Sequence, residues 1–593
     1  MIELSGDKDL ASAIELERLG NFQGALQVYS TLLKKNPSNV QFAINVAANQ
    51  GRMGDHASAL KILKKLLKKN PVNLDVLNNL TEAYLNLGEI FSAIELATRS
   101  IKINPQNSSG YEKLSVAFKR IDKPIEALKF IDLALGIDQD NQEFLLKKGN
   151  LLLEIEDYSN AESFFKSILE TTTNHVLAKV FLARLYITLH QYDLALNILD
   201  ECIEIGEHTE EIYFLKGNTL RSLSGPAEAL ETYNKALSFV SSYRSLNNKA
   251  CVLFDMRRYD EALKALDVEI PPQEDFFEFT LTKADLELKL QRYKQGWFFY
   301  EKRLEKPYYK QEEKKIEKPK WDGIRDIHNK VLVIRSEIGF GDSIQFLRFI
   351  PLVASLTHAK IIFEVQPALV KLIQESLDDN ITVISNELNL EDINFDYYCW
   401  TMSLPFLLSH SGYSSLSENF PYLKIPDLKA SYWSKQLKRE KKLLMGINWS
   451  GQAGRDIDFI ISRNRSIPLI ELEHLFKLPF EFHSLQKIYN NQEDYGLMKR
   501  LSIEDHSDSL LDFSDTAALI DALDIIVTND TSIAHLAGAL NKKTLLILPF
   551  SSDYRWGLDG SETPWYPSII IFRQQKINEW SVPIQEAINT LLT

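Results

Sequence analysis

Apolar positions over the first three hundred residues recur at helical spacing, in paired segments separated by one or two small or polar residues. Val76 to Leu87 and Ile90 to Ile103, on either side of Gly88-Glu89, are one such pair and predict a helix hairpin. The hairpin repeats: an alanine stands at Ala25, Ala59, Ala93, Ala127, Ala161, Ala195 and Ala229, a constant step of 34 residues. The same step links Asn36-Pro37, Asn70-Pro71 and Asn104-Pro105, with Asp138 following, so each unit closes with similar turn chemistry. Past Ala229 the register slips by one to Ala262 and then steps 34 to Gly296, giving about nine hairpins in residues 1–305. Units that bury their apolar faces only against neighbours predict an α-solenoid, a superhelix with a concave groove.

Residues 306–320 break this pattern with two prolines and densely mixed charge, and read as a linker or a solvated connecting helix. From Val331 the period changes. Short apolar runs at Val331 to Ile334, Ile361 to Val365, Ile381 to Ile384 and Asp396 to Trp400 predict strands, with helical spacing between them, as from Ser343 to Leu356. After a helix expected near Ala430 to Lys441, a second set follows at Leu443 to Trp449, Glu481 to Leu485, Asp524 to Thr528 and Thr544 to Leu548. Two such sets predict α/β architecture with two doubly wound lobes, residues 321–440 and 441–593. Ligands of such sheets bind beyond the carboxyl ends of the strands, which directs attention to the cleft between lobes.

Composition narrows the chemistry. The chain of 593 residues carries 67 Lys+Arg against 81 Asp+Glu, a net charge of -14, so no global field draws it to nucleic acid or an anionic membrane. Any phosphate site must be local. Cys202, Cys251 and Cys399 show no paired ligand spacing, which argues against a disulfide framework or a cysteine zinc site. Without a basic, apolar leader pattern at Met1 to Asp9, or any long uncharged apolar run, a cytoplasmic protein without a transmembrane segment is expected.

Four segments sit where the sheet rule puts chemistry. Gly339-Phe340-Gly341-Asp342 follows the first strand: its glycines permit close backbone approach, and Asp342 either acts as a general base or caps a helix, with Glu337 a competing base. Arg463 and Arg465 lie on a loop beyond the strand ending near Trp449, and their planar guanidinium forks suit a diphosphate or a solvated loop. Asp530-Thr531-Ser532 with His535 begins a small-residue helix after a strand, presenting free N–H groups to an anion; His535 is equally a core histidine. Finally, Pro549 to Trp556 with Ser561 to Pro567 offers aromatic rings, Trp556 and Trp565 among them, either for stacking on a sugar or base or for covering the lobe.

The amino half resembles the tetratricopeptide repeat in its period, its small residue, the aromatic residue four later (Tyr29, Phe165, Tyr233) and its terminal proline. In large protein O-linked N-acetylglucosamine transferases a ladder of asparagines on such repeats holds acceptor polypeptide. The matching register here carries Asn45, Asn79 and Asn248, with Lys113, Lys147, Phe181 and Leu215 between them, so the ladder is incomplete. From Trp321 onward the chain resembles bacterial glycosyltransferases of the heptosyltransferase type, which implies two facing Rossmann-like lobes of the GT-B kind. The resemblance of Gly341-Asp342, followed by a helix and Pro351, to the family's amino-lobe motif implies Asp342 as catalytic base, and Gly339 and Gly341 are expected to bind the donor through close backbone approach. It also implies Arg465 at donor phosphate, where its loop neighbour Arg463 is expected on chemistry alone, and Asp530, Thr531, Ser532 and His535 around the nucleotide sugar. Ser532 stands where the family has glycine, and the acidic ribose-binding residue has no match near Leu485-Gln486-Lys487.

The expected activity is inverting, metal-independent glycosyl transfer from a nucleotide-diphosphate sugar, with no cofactor, to a protein or glycan hydroxyl recruited through the repeats. An Asp-x-Asp pair at Asp456 and Asp458 is the one alternative place for a divalent ion in the second half. A repeat scaffold with a degenerate transferase-like domain is the competing reading.

Overall fold

The computed structural model describes residues 3–223, 225–268, 277–410, 420–437, 442–451, 465–489 and 492–592. They divide into two compact units, Met1–Thr219 and Leu220–Thr593.

In the first unit helices pair as the period predicts, beginning with Glu3–Arg18 and Phe22–Lys35, then Val40–Arg52 and His56–Lys69. Continued through Phe277–Lys289 and Tyr293–Tyr300, the pattern makes nine hairpins among the described residues. The seven alanines of the 34-residue register are at most 2% exposed, which explains the period: each lies where two helices touch and a larger side chain would hold them apart. Asn39, Asn73 and Asn141 each accept a hydrogen bond from the backbone N–H three residues on, satisfying donors that the helix start leaves free. The hairpin turn needs a left-handed residue, supplied by Gly54 and Gly88 in two repeats (φ 88° and 77°).

The second unit contains the last repeat helices and both sheets. Residues 306–320, expected as a linker or connecting helix, include the helix Pro307–Lys314, which packs rather than floats: the Tyr309 ring meets Trp400 edge-on at 4.9 Å, and Glu312 accepts from Arg335 at 3.2 Å. The first sheet, all parallel, has the order β3-β2-β1-β4, with β1 Val331–Arg335, β2 Lys360–Val365, β3 Ile381–Ser385 and β4 Tyr397–Trp400. The second, also parallel, runs β10-β9-β8-β5-β6-β7. Its strands are β5 Leu443–Asn448, β6 Phe480–Ser484, β7 Ile503–Glu504, β8 Ile525–Thr528, β9 Thr544–Leu548 and β10 Ile569–Arg573. Nearly every position of β1, β8 and β9 is buried, as expected of parallel strands covered on both faces.

The single helix expected from Ser343 to Leu356 is broken into Phe340–Phe346, a tight turn Leu347–Phe349 and a new helix Ile350–Thr357. Pro351 is the reason: it lacks an N–H and sits in the first turn of the second helix, where none is needed. The helix expected near Ala430 to Lys441 is Asp427–Gln436. One apolar core joins both sheets and receives Leu288 and Trp297 from the last repeat helices. Trp297 packs edge-on against Phe346 at 5.6 Å and Tyr554 at 5.8 Å. Among the described residues no helix is long and apolar enough to cross a membrane.

Candidate active site at two topological switch points

Both sheets reverse direction at their first strand, β1 between β2 and β4, and β5 between β6 and β8. Ligands lodge in the crevice beyond such points. The chain leaving β1 reaches Glu337, whose carboxylate is 4% exposed and is bound by Arg303 Nη2 at 2.9 Å and the Met402 N–H at 3.1 Å. Burial pushes Glu337 up to about 7 against the pull of Arg303, but both oxygens serve packing, so the competing base is occupied.

Gly339 then caps the helix Phe340–Phe346 with extended backbone. A Cβ there would stand 2.5 Å from Asp342 Oδ2, so the carboxylate folds back over Gly339 and any larger residue would push it aside. Asp342 makes no side-chain cap; its Oδ1 instead accepts from Arg555 Nη2 of the other lobe at 2.5 Å. The Asp342 side chain is 27% exposed, yet surrounding protein desolvates its charge and raises its pKa above the ordinary aspartate value, with Arg555 opposing. Gly341 faces the second lobe, where an added Cβ would meet His535 Cδ2 at 2.8 Å.

In that lobe Asn448, the last residue of β5, spreads its amide across the switch point, donating to Asn529 Oδ1 at 2.7 Å and Thr531 Oγ1 at 3.0 Å. Thr531 precedes the helix Ser532–Ala539 and leaves its first turn uncapped by a side chain. That helix start carries partial positive charge. Asp530 is 5% exposed and Arg465 Nε lies 3.6 Å from it, while Arg465 Nη2 is 3.5 Å from Asp553. Arg555 Nη1 is 3.0 Å from Asp553 as well. Burial raises the Asp553 pKa, but Arg555 and Arg465 outweigh it and hold Asp553 below the usual carboxylate range. His535 is buried, hydrogen-bonds Tyr566 through Nδ1 at 2.9 Å and stacks on Trp556 at 5.2 Å. Burial, aided by the positive field of Arg555, drives its pKa well below the histidine norm, so it is neutral at pH 7.

Gly339, Gly341, Asp342, Arg465, Asp530, Thr531, Ser532 and His535 therefore converge on one place. Arg463, Asp456 and Asp458 lie outside the described residues. Trp556 and Trp565, candidates for stacking on a sugar or base, are 0% exposed and belong to the core. The residues that sequence reasoning missed are Arg555, Asp553 and Asn448. Arg555 stood in a loop noted for its rings, and nothing in the sequence joins it to Asp342, 213 residues away.

In the first unit a groove of about 660 Å³ is lined by Asn79 together with Glu82, Glu112, Lys113 and Lys147. Where the asparagine ladder breaks, Lys113 pairs with Glu82 and with Glu112 at 3.2 Å, and Lys147 pairs with Glu143 at 2.6 Å. Asn45 is outside this lining; its carbonyl Oδ1 accepts from Gln41 at 3.1 Å. Asn248 belongs to the second unit.

Two stretches of the chain match known families. Residues 52–115 match the tetratricopeptide repeat, and residues 509–588 match glycosyltransferase family 9 (heptosyltransferase), a span that contains Asp530 to His535 and Arg555. Protein FlbA of Caulobacter vibrioides is 22% identical over 416 residues, 65% of this chain and 67% of that protein. Among solved structures, a tetratricopeptide repeat protein of Parabacteroides merdae is 18% identical over 44% of this chain and 98% of its own, with a TM-score of 0.34. TTC0263, a thermophilic repeat protein of Thermus thermophilus, is 21% identical over 31% of this chain and 99% of its own, at 0.29. The chain thus carries tetratricopeptide repeats in its amino half and a glycosyltransferase family 9 region near its carboxyl end.

Proposed function

We propose that this protein transfers a sugar from a nucleotide-diphosphate sugar to a hydroxyl of a protein or glycan acceptor, with inversion and without a metal ion, and that its repeats recruit the acceptor. The observation that carries the reading is the ion pair between Asp342 and Arg555, which joins the loop after β1 to the loop after β9, and Arg555 shares Asp553 with Arg465. A base and an anion site are thereby adjacent.

In this reading Asp342 takes the proton of the acceptor hydroxyl as its oxygen attacks the anomeric carbon. The bond from that carbon to the diphosphate oxygen breaks on the opposite face, and the leaving diphosphate gains the electron pair. Arg465, Arg555 and the N–H groups at Thr531-Ser532 offset that charge. The helix start alone contributes about 0.3–1 kcal/mol when exposed and about 2 when partly buried, so arginine help is required. Arg555 is shared: an incoming diphosphate competes with Asp342 for it, and its withdrawal leaves the carboxylate open to the acceptor. Donor binding would then switch on the base.

The test is calorimetric titration with UDP, GDP, ADP, CDP and their sugars. Wild type should bind one nucleotide class, Arg465→Ala should lose that binding, and Asp342→Asn should keep binding while losing sugar transfer. Binding without any transfer by wild type would favour the scaffold, and binding of none would end the donor assignment.

A further inference from the structure

The repeat helix Phe277–Lys289 belongs to the same compact unit as both lobes, and its last residue reaches the site. Lys289, 1% exposed, donates to the Ser552 carbonyl at 2.6 Å, the Ser552 hydroxyl at 3.0 Å and the Asp553 carbonyl at 3.0 Å. Residues four apart share a helix face, so Asp285, one turn before Lys289, is turned toward the same loop. Asp285 is exposed although Ala284 and Leu286 on either side are 0% exposed. Asp342, Asp530 and Asp553 each have an arginine within 4 Å. No hydrogen bond or ion pair engages the oxygens of Asp285 among the described residues.

We propose that Asp285 is a substrate-binding residue of the transferase site, supplied by the repeat array, and that its carboxylate accepts hydrogen bonds from sugar hydroxyls held beside Asp342 and Arg555. The proposal rests on the glycosyltransferase reading.

The surroundings select the ligand group. The protein around Asp285 desolvates its charge and the Asp553 carboxylate repels it, which together push its pKa up to about 7 although Arg555, Lys306 and Arg465 attract it. A phosphate would add to the repulsion from Asp553. A cation would meet Arg555, Lys306 and Arg465. A neutral hydroxyl suffers neither, and a carboxylate with both oxygens open can receive two neighbouring hydroxyls of a sugar ring. The site so formed has three contributors, the two lobes and a repeat helix, and the repeats would then complete the catalytic centre in addition to recruiting substrate.

The hydroxyls belong either to the transferred sugar or to the acceptor, and Asp285→Asn in the full chain separates the two. The substitution keeps the shape and removes a charge that the fold disfavours, so near pH 7 the variant should unfold at or above the wild-type temperature. Binding of UDP, GDP, ADP and CDP and of their sugars is measured by calorimetry. Incorporation of labelled sugar from the donor that binds is measured in a lysate of cells lacking the protein. Affinity for the bare nucleotide should be unchanged. If the transferred sugar is the partner, the extra affinity of the nucleotide sugar falls about tenfold; if the acceptor is, donor affinity holds and incorporation falls about tenfold. Equal donor affinity and equal incorporation in wild type and variant would overturn the inference while leaving the transferase reading intact, as would weaker binding of the bare nucleotide by the variant. Failure of wild type to bind any nucleotide or to label any acceptor would remove the premise instead.

Discussion

At the scale of single residues, the tightest restraint on the site is an absent side chain. Gly341 lies where a Cβ would come 2.8 Å from His535 Cδ2, and His535 cannot step aside because Tyr566 holds its Nδ1 at 2.9 Å and Trp556 lies along its ring. Gly341→Ala should therefore destabilise the second unit by about 1–3 kcal/mol in urea unfolding, the range for forcing extra volume into a packed site. An unchanged midpoint would mean that the lobes part at no cost. A second residue-level prediction concerns acid. His483 on β6 stacks on His506, with its Nδ1 3.0 Å from His506 Nε2. Burial, and then the neighbouring imidazole, bring its pKa down to about 4. The unfolded chain binds a proton near 6.5 that the folded chain refuses until about 4, so stability present above 6.5 is lost as pH falls between those values. The loss is on the order of 3 kcal/mol for a shift of this size, and urea midpoints at pH 7, 5.5 and 4.5 should converge for wild type and His483→Gln. A gap that stays constant with pH would refute the assignment to His483. The asymmetry of what the sequence shows appears here too: Gly341 and Asp342 are visible as a glycine-aspartate loop after an apolar strand, whereas the His483–His506 and Asp342–Arg555 pairs are made by the fold and leave no local trace.

At the scale of elements, periodicity carried the reading wherever an element is long enough to express it. The 34-residue alanine register survives because every hairpin repeats the same contact, and Gly296 obeys it for a steric reason: a Cβ there would meet Leu288 side-chain atoms at 2.7 Å. Strands of four or more residues such as β1 and β9 are legible as apolar runs, but β7, with only Ile503 and Glu504, has no period to read. β10 is an apolar run that closes the second sheet at its edge, and its place there depends on pairing with β9, which no local pattern states. Strand order, and so the position of both switch points, comes from pairings between distant strands that no local pattern states. The helix Phe277–Lys289 makes the same point, since it reads as one more repeat helix and its role comes from the three bonds of Lys289 to the loop at Ser552 and Asp553. Lys289→Met keeps the stem and removes the donors. It should destabilise the second unit by about 1–3 kcal/mol through the buried Ser552 carbonyl and the part-buried Asp553 carbonyl left without this partner. Lys289→Arg, which brings a planar fork to three acceptors met by one ammonium at a fully packed position, should not restore it. Thermal unfolding of the three proteins decides this; a stable Lys289→Met chain would mean that relief of the cost of burying the ammonium offsets the lost bonds.

At the scale of the whole molecule, the boundary that the sequence shows and the boundary that packing shows are different things. Periodicity ends near residue 305, because there the hairpin pattern gives way to strands. Compactness divides at Thr219 and Leu220, because the last repeat helices are built into the core of the two lobes. A chain cut at 305/306 would lose Trp297 from its packing on Phe346 and Tyr554, the Lys289 bonds to Ser552 and Asp553, and Arg303 from beside Glu337. Removing one partner of a buried ion pair costs about 3–5 kcal/mol, and exposing a large aromatic contact adds a few more. Against a total stability of about 5–15 kcal/mol for a folded protein, that loss is decisive. Residues 306–593 expressed alone should therefore be insoluble or unfold without cooperativity. A fragment from Glu210, which keeps the helix Glu210–Ser222 whole, should fold and bind the same nucleotide class as the full chain. Cooperative unfolding of 306–593 at the same temperature as the longer fragment would show that the last repeats contribute nothing to the lobes, and would take away the structural ground for placing Asp285 in the site.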